Sequence, residues 1–223
     1  MRFSVIIPTK NRFETLLRAL KSLDFQEFND FEIIVINDFS NEFYDESQIA
    51  KFSRVIYVSL KKGLGVAGAR NEALKLAKGE WVVFLDDDDE MCRSYLSLLN
   101  ENICEADKLF WCSVEVHQNN GFSMIPAHIY PDAVRSALSI GVSYGFCASL
   151  VALKKINFFD ERFIVGEDTD LIISLIADGI QPEPLNIVGV RKYNDDNQRL
   201  SFEYKRTSDF NIGEMLLKKH SGF

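Results

Sequence analysis

Short apolar runs alternate with segments of helical periodicity through the first half of the chain. Residues 3–7, ended by Pro8, and residues 31–36 form nearly continuous apolar runs of strand length. Between them, four leucines at positions 16, 17, 20 and 23 have the spacing of one helix face. Continuous apolar strands are typical of sheets that are covered on both faces. The pattern therefore predicts an α/β fold with a mostly parallel central sheet flanked by helices.

The same reasoning predicts further elements, which are less regular after about residue 90. Residues 121–129 are expected to form a loop, and no linker or internal repeat divides the 223 residues, so one domain is expected. The predicted strands are residues 3–7, 31–36, 54–60, 81–85, 109–117 and 185–190, and the predicted helices are residues 13–23, 65–78, 94–104, 168–178 and 210–219.

Polar side chains follow three of the predicted strands. Thr9, Asp38 and Asp86 each come just after an apolar run. In open α/β sheets, ligands bind beyond the carboxyl ends of the strands. We therefore expect these side chains to border one binding site.

Five consecutive acids occupy residues 86–90. Two carboxylates ~4 Å apart near a surface repel by roughly 4 kcal/mol at an effective dielectric constant of about 20. Along an extended segment, Asp86 and Asp88 would share one face, and Asp87 and Asp89 the other. A divalent cation bound with substrate phosphates would balance this charge, and Mn²⁺ or Mg²⁺ is expected. The alternative is a solvated acidic loop that caps the next helix.

Composition narrows the classes of function. The net charge of −8 and the pI of about 5.0 argue against nucleic acid as a partner. The four cysteines have no Cys-x-x-Cys spacing, so neither structural zinc nor a redox dithiol is indicated. No run approaches 18 apolar residues, and the expectation is a cytoplasmic protein, with peripheral membrane contact compatible with a lipid-linked substrate.

A glycine segment offers a competing function. Gly63, Gly65 and Gly68 fit Gly-x-Gly-x-x-Gly, and Asp86 lies eighteen residues beyond the last glycine. This spacing matches the dinucleotide fingerprint and would make the protein an NAD(P)-dependent oxidoreductase. However, the segment follows the third predicted strand, and two lysines separate that strand from the glycines. The other interpretation is a helix that starts close to the sheet.

Two more groups of charged residues are candidates. Arg70 lies one turn into the helix after the glycines and could bind a phosphate oxygen or hold an aspartate. Glu167, Asp168 and Asp170 open a later predicted helix, where acids are favoured by the helix dipole. A functional interpretation has one of these carboxylates accept a proton from a substrate hydroxyl.

Taken together, six stretches resemble family 2 glycosyltransferases of the GT-A fold. Their order and spacing match over about residues 3–192, and an ordered set is more specific than any single motif. The matching stretches are residues 4–12 (SVIIPTKNR), 36–40 (INDFS), 68–71 (GARN), 79–89 (GEWVVFLDDDD), 158–163 (FFDERF) and 166–171 (GEDTDL).

The resemblance implies a nucleotide-sugar donor, most simply a UDP-sugar, and inversion at the sugar's anomeric carbon. Asp88 would be the firmer ligand of Mn²⁺ or Mg²⁺, and Asp86 would meet the ribose and share the metal. Asp168 matches the catalytic base, with Glu167 the second candidate. The donor-binding residues implied by the resemblance are Pro8, Thr9, Asn11, Asp38, Arg70, Asp86 and Asp87.

The resemblance also assigns regions of the chain. Residues 1–90 would form the nucleotide-sugar half, residues 91–205 the acceptor half, and residues 206–223 a C-terminal helix. The acceptor, a glycan or a lipid-linked glycan, would be bordered by residues 121–145, including His128, Tyr130, Arg135 and Tyr144. It would receive a single sugar in the synthesis of cell-surface polysaccharide or lipopolysaccharide.

Residues 191–197 depart from the family, because Asn194 lies near the point where relatives often have a histidine. A third metal ligand from this region is therefore not expected. Besides the oxidoreductase, a non-catalytic nucleotide-sugar-binding module of the same fold stays open as an alternative.

Overall fold

The structure is a computed structural model that describes residues 1–103, 107–118, 121–130, 139–193 and 212–221. Cys104, Arg135 and Asn194, which entered the sequence-based expectations, lie outside these residues. Within them the chain forms one mixed sheet with helices packed against it. The helices are α1 (Phe13–Asp24), α2 (Glu46–Ile49), α3 (Gly65–Leu76), α4 (Tyr95–Asn102), α5 (Leu150–Lys155), α6 (Glu167–Ala177) and α7 (Ile212–Lys219).

The sheet runs in the order β3-β2-β1-β4-β8-β6-β9-β5, with β7 beside β6. β1, β2, β3 and β4 are parallel to one another, as the alternation of strands and helices predicted. β8 is antiparallel to both β4 and β6, and β9 is parallel to β6. The strands are β1 (Phe3–Thr9), β2 (Phe31–Asn37), β3 (Val55–Ser59), β4 (Trp81–Phe84), β5 (Asp89–Met91), β6 (Lys108–Gln118), β7 (Gly121–Ile125), β8 (Cys147–Ser149) and β9 (Gln181–Tyr193).

Two apolar layers cover the faces of the sheet. Val5 and Ile7 of β1 pack with α1 and α4 on one face, whereas Ile6 packs with α3 and α6 on the other. Both faces of β1 and β2 are therefore buried, which explains their unbroken apolar sequence. Among the described residues, no helix combines the length and the apolar character that crossing a bilayer would require.

Several predicted boundaries were wrong. Residues 121–125, expected in a loop, form β7, which pairs antiparallel with β6. All five side chains of β7 are exposed, so the strand carries no alternation of buried and exposed positions. β9 is 13 residues long, although only 185–190 were predicted, and the short elements α2 and β5 were not predicted.

Candidate functional site

The carboxyl ends of β1, β2 and β4 meet at one edge of the sheet. Thr9 ends β1, Asp38 follows β2, and Asp86 follows β4, so these side chains share that edge as predicted. The backbone N–H of Asp38 donates to the carbonyl of Thr9 at 2.9 Å. Parallel pairing therefore places three distant parts of the chain around one site.

The loop after β1 is held in part by Tyr44, a side chain that sequence reasoning did not single out. Thr9 Oγ1 and Tyr44 Oη form a hydrogen bond of 2.8 Å, and the backbone N–H of Arg12 donates to the same Tyr44 oxygen at 3.0 Å. Asn11 Oδ1 accepts the backbone N–H of Asn41 at 2.8 Å. Asn11 thus holds two loops together, and Pro8 lies in β1 opposite Ile36.

Asp38 anchors the start of α3. Its two carboxylate oxygens accept the backbone N–H groups of Leu64 at 2.5 Å and Gly65 at 3.0 Å, and Lys10 Nζ lies 3.3 Å away. Gly65 has a positive φ of 75°, which glycine adopts readily. In a dinucleotide fold, backbone amides here would bind a pyrophosphate. Asp38 takes them instead, which favours the interpretation of the glycines as a helix start.

The acidic run forms a turn rather than an extended segment. The backbone N–H of Asp89 donates to the carbonyl of Asp86 at 3.2 Å, so the predicted alternation of faces was wrong. Asp87 and Asp88 instead share Arg12, whose Nη1 lies 3.1 Å from Asp87 Oδ1 and 2.9 Å from Asp88 Oδ2. Asp86 and Asp89 face a different cation.

That cation is Lys192, which no sequence pattern indicated. β5 pairs antiparallel with β9, and this pairing sets Asp89 opposite Lys192. The buried ammonium donates to Asp89 Oδ2 and lies 3.7 Å from Asp86 Oδ2. Asp89 is fully buried, and its second oxygen, Oδ1, has no hydrogen-bond partner among the described residues.

Burial and neighbouring charges shift the pKa values of these aspartates in opposite directions. Burial raises the pKa of Asp87 to about 7 against the opposing effect of Arg12, and it raises that of Asp89 to about 7 against Lys192. Burial also acts on Asp86, but Lys192, Arg70 and Arg12 together hold its pKa below the ordinary value. The turn therefore combines carboxylates of very different proton affinity.

The turn has a donor set that fits a hard divalent cation. Asp86, Asp88 and Asp89 each offer one carboxylate oxygen, and these oxygens lie within 4.8 Å of one another. Carboxylate oxygens are the ligands that Mg²⁺ and Mn²⁺ prefer. The set contains the predicted pair and adds Asp89. The protein itself supplies part of the positive charge expected from a metal, through the arginines and the lysine just described.

Arg70 connects the turn to the second half of the chain. The side chain is buried, and its Nη2 lies 3.2 Å from Asp86 Oδ1 while its Nη1 lies 2.9 Å from Glu167 Oε1. Within the described part of the chain its Nε has no hydrogen-bond partner, and the guanidinium lies 5.4 Å from the centroid of the Phe159 ring. One arginine therefore spans the two acidic motifs that the sequence separates by about eighty residues.

The start of α6 presents two carboxylates with different environments. Gly166, with a φ of 81°, turns the chain into the helix. Glu167 is tied to Arg70, and burial raises its pKa against the opposing charge of that arginine. Asp168 Oδ1 accepts the backbone N–H of Thr169 at 2.7 Å, and among the described residues Asp168 takes part in no ion pair. Asp168 is thus the carboxylate that no cation holds.

Other residues of the stretches that resemble the family stabilise the segments around the site. Asn71 donates to the carbonyl of Phe159 at 3.0 Å and to Glu161 at 2.9 Å, which fixes the segment before α6. Asp170 is buried and binds Lys219 at 2.7 Å and His220 at 2.9 Å, so it attaches α7. Asp170, a candidate acid in the sequence, is therefore structural.

The predicted acceptor region is described only in part. The rings of His128 and Tyr130 pack edge to face with centroids 4.7 Å apart. Tyr144 lies beside the acidic turn, since its ring centroid is 5.8 Å from Lys192 Nζ. Among the described residues of this region, Tyr144 thus lies next to the acidic turn.

Comparisons with known proteins agree with this geometry. The model of the family described as Glycosyl transferase family 2 matches residues 4–163. The amylovoran biosynthesis glycosyltransferase AmsB of Erwinia amylovora is 31% identical over 190 residues, which cover 77% of this chain and 62% of AmsB. The UDP-Glc:alpha-D-GlcNAc-diphosphoundecaprenol beta-1,3-glucosyltransferase WfaP of Escherichia coli is 28% identical over 191 residues, covering 83% of this chain and 74% of WfaP.

A solved structure has the same fold. S. aureus TarS 1-349, in complex with UDP-GlcNAc, superimposes with a TM-score of 0.76 at 23% sequence identity, over 90% of this chain and 61% of TarS 1-349. The match confirms the predicted GT-A-type α/β fold. The chain spans 62% of the length of AmsB and 61% of that of TarS 1-349.

Proposed function

The chain belongs to glycosyl transferase family 2, and from that premise we propose that it moves one sugar from a UDP-sugar to a hydroxyl group of a glycan or lipid-linked acceptor, with inversion at the anomeric carbon. The printed names of AmsB and WfaP, a polysaccharide-synthesis enzyme and a glucosyltransferase acting on a diphosphoundecaprenol-linked sugar, support this acceptor class. The proposed setting is synthesis of cell-surface polysaccharide or lipopolysaccharide, in the cytoplasm at the inner face of the membrane.

The observation that carries this proposal is the bridge formed by Arg70. A group-transfer enzyme must hold the leaving group and the incoming hydroxyl on opposite sides of one reacting carbon. Arg70 links Asp86, at the donor edge of the sheet, to Glu167, at the start of α6. It therefore fixes the distance between the proposed donor side and the proposed acceptor side.

On the donor side, we assign the nucleoside to the edge formed by Pro8, Thr9 and Asn11, with Asp38 beneath it. A carboxylate has about four lone-pair sites, so Asp38 can accept from a uracil N–H while it holds α3. Asp86 would meet the ribose, and Asp87 would support the turn through Arg12.

Asp88 and Asp86, together with Asp89, would hold Mn²⁺ or Mg²⁺. Such an ion, when bound, acts as a Lewis acid that stabilises the negative charge on the departing diphosphate. The cations of the chain itself, Arg70 and Lys192, lie at the same carboxylates and add positive charge near that leaving group.

On the acceptor side, we assign the proton of the attacking hydroxyl to Asp168. A general base must be within hydrogen-bond reach of the proton and must be unprotonated when the substrate binds. Glu167 is paired with Arg70, whereas no cation of the described residues pairs with Asp168. Direct attack by the hydroxyl gives inversion in a single displacement, so no covalent intermediate is needed.

Donor hydrolysis tests this function. Purified protein incubated with Mn²⁺ and a panel of nucleotide sugars should slowly release a nucleoside diphosphate from one donor. Asp88→Ala should abolish the release, whereas Asp24→Ala, which removes an exposed carboxylate at the end of α1, should leave it unchanged. Donor binding without any release would instead identify a non-catalytic nucleotide-sugar-binding module.

A further inference from the structure

We propose that Lys192 is a resident cation that competes with the divalent metal for the acidic turn, so that the metal binds firmly only together with the donor diphosphate. The inference rests on the metal use in the proposed function and gives Lys192 a role beyond the positive charge that it adds near the leaving group. It makes Lys192 a positioning residue that sets the order in which the metal and the nucleotide bind.

The geometry places the ammonium inside the candidate metal cluster. Lys192 Nζ bonds Asp89 and lies 3.7 Å from Asp86, and these are two of the three carboxylates that could hold a metal. The lysine is buried, so water screens its charge poorly. A divalent ion that enters beside it must share the same oxygens and meets a like charge.

A second observation indicates that the cluster still has capacity for a ligand. Asp89 is fully buried, yet none of the residues that the structure describes donates a hydrogen bond to its Oδ1. A buried acceptor without a partner is unfavourable, and such atoms often mark a functional role or an ion that binds there. Lys192 therefore satisfies the cluster only in part.

The donor diphosphate would shift this balance. Its negative oxygens can complete the coordination of a divalent ion, since Mg²⁺ is usually held by one or two carboxylates plus substrate phosphates. The same oxygens can also accept hydrogen bonds from the ammonium of Lys192, as lysines commonly do with phosphates. With the diphosphate present, the metal and Lys192 no longer depend on the same carboxylate oxygens.

Binding of Mn²⁺ alone tests the inference without reference to catalysis. Free Mn²⁺ is measured by electron paramagnetic resonance while wild type, Lys192→Met, Lys192→Arg or Lys155→Met is titrated. Lys155 is an exposed lysine with a carboxylate partner of its own, so Lys155→Met is the matched control. Lys192→Gln keeps a donor for Asp89 and replaces Lys192→Met if that variant does not fold.

We expect Lys192→Met or Lys192→Gln to bind Mn²⁺ alone more than about tenfold more tightly than wild type, because an ammonium at this distance lowers the affinity of a divalent ion by more than about one power of ten. The same neutral variants should gain thermal stability on addition of Mn²⁺. Lys192→Arg and Lys155→Met should behave as wild type. With UDP present, wild type should bind Mn²⁺ firmly.

Equal affinity of wild type and the neutral variants for Mn²⁺ alone would overturn the role of Lys192. The titration with UDP is read separately. If wild type binds Mn²⁺ with UDP but the neutral variants gain nothing without it, only the inference about Lys192 fails. If no protein binds Mn²⁺ under either condition, the metal use in the proposed function fails as well.

Discussion

Individual residues at the site differ in what holds them, and this difference assigns their roles. Arg70 is buried between Asp86 and Glu167, and a guanidinium can bind two carboxylates at once because its donors form a rigid fork. Glu167 is consequently committed to an ion pair. Asp168, its neighbour, is therefore the residue that we propose as the general base.

Substitutions of these two neighbours should therefore have different effects. Asp168→Asn should lower kcat for sugar transfer by roughly 10²- to 10⁴-fold, the usual contribution of a general base, with UDP affinity unchanged. Glu167→Gln should lower the free energy of unfolding by about 2 kcal/mol, because it removes a charged hydrogen-bond partner of buried Arg70. Transfer kinetics and urea unfolding of both variants measure the two effects. If Glu167→Gln alone loses turnover at unchanged stability, the assignment is reversed.

For individual residues, the sequence showed which positions carry carboxylates but not which cations lie next to them. The run at residues 86–90 indicated carboxylates that could hold a metal ion, and metal binding stays a prediction. The predicted alternation of faces was wrong because the chain turns at Asp86. Lys192 meets Asp89 only through the pairing of β5 with β9. A contact between residues 103 positions apart has no local signal.

Elements of the fold also depend on remote side chains. Leu64 lies at the N-terminal boundary of α3, and its apolar side chain cannot accept a hydrogen bond from the first N–H groups of the helix. Asp38, from the end of β2, supplies the acceptor oxygens instead. The start of α3, and with it Arg70, is therefore positioned by the loop that borders the proposed nucleoside.

Removal of this remote cap should affect both stability and binding. Asp38→Ala should lower the free energy of unfolding by about 2 kcal/mol, because two helix N–H groups lose their acceptor, and UDP should bind more weakly. Asp45→Ala is the matched control, since Asp45 caps α2 by accepting the N–H of Ser47 at 3.0 Å. It should lower stability by less than Asp38→Ala, since the hydrogen bond that Asp45 accepts is exposed to solvent, and leave UDP affinity unchanged. Titration calorimetry measures the affinity for UDP, and urea unfolding measures the stability. An equal loss of UDP affinity in the two variants would count against the assignment of Asp38.

The sequence predicted best the strands that are buried on both faces of the sheet. β1, β2 and β4 lie between two apolar layers, so their composition alone identifies them. The sequence of β7 predicts a loop, because all of its side chains are exposed and show no alternation of buried and exposed positions. The strand forms through its pairing with β6. Short elements such as β5 exist only through tertiary pairing.

Over the whole molecule, negative charge is in excess and part of it is buried at one place. The net charge is −8, and Asp87 and Asp89 are buried in the acidic turn with pKa values raised to about 7. In the unfolded chain both groups titrate near the ordinary value of about 3.9. Between these two values the folded state binds protons that the unfolded chain has released.

Stability of the metal-free protein should therefore depend on pH with a defined sign. Because the folded state binds more protons, the free energy of unfolding falls as pH rises from about 5 to about 7.5. Asp86, whose pKa is lowered, is ionised in both states across this window and adds no slope. Urea unfolding in EDTA at several pH values measures the effect.

Asp87→Asn is the control for this pH dependence, since it replaces one raised carboxyl by a neutral group of the same shape. The slope should become shallower in this variant, and Asp30→Asn, which removes an exposed carboxylate, should keep the wild-type slope. A free energy of unfolding that rises between pH 5 and 7.5 would show that these aspartates are ionised in the folded state.

The most direct measurement of the central claim is a crystal structure of the protein soaked with MnCl₂ and UDP, with anomalous diffraction recorded for manganese. The account predicts a manganese peak at coordination distance from Asp88, with the diphosphate beside it and the uridine along the edge formed by Thr9 and Asp38. An acidic turn without manganese, with UDP bound at another part of the molecule, would contradict it.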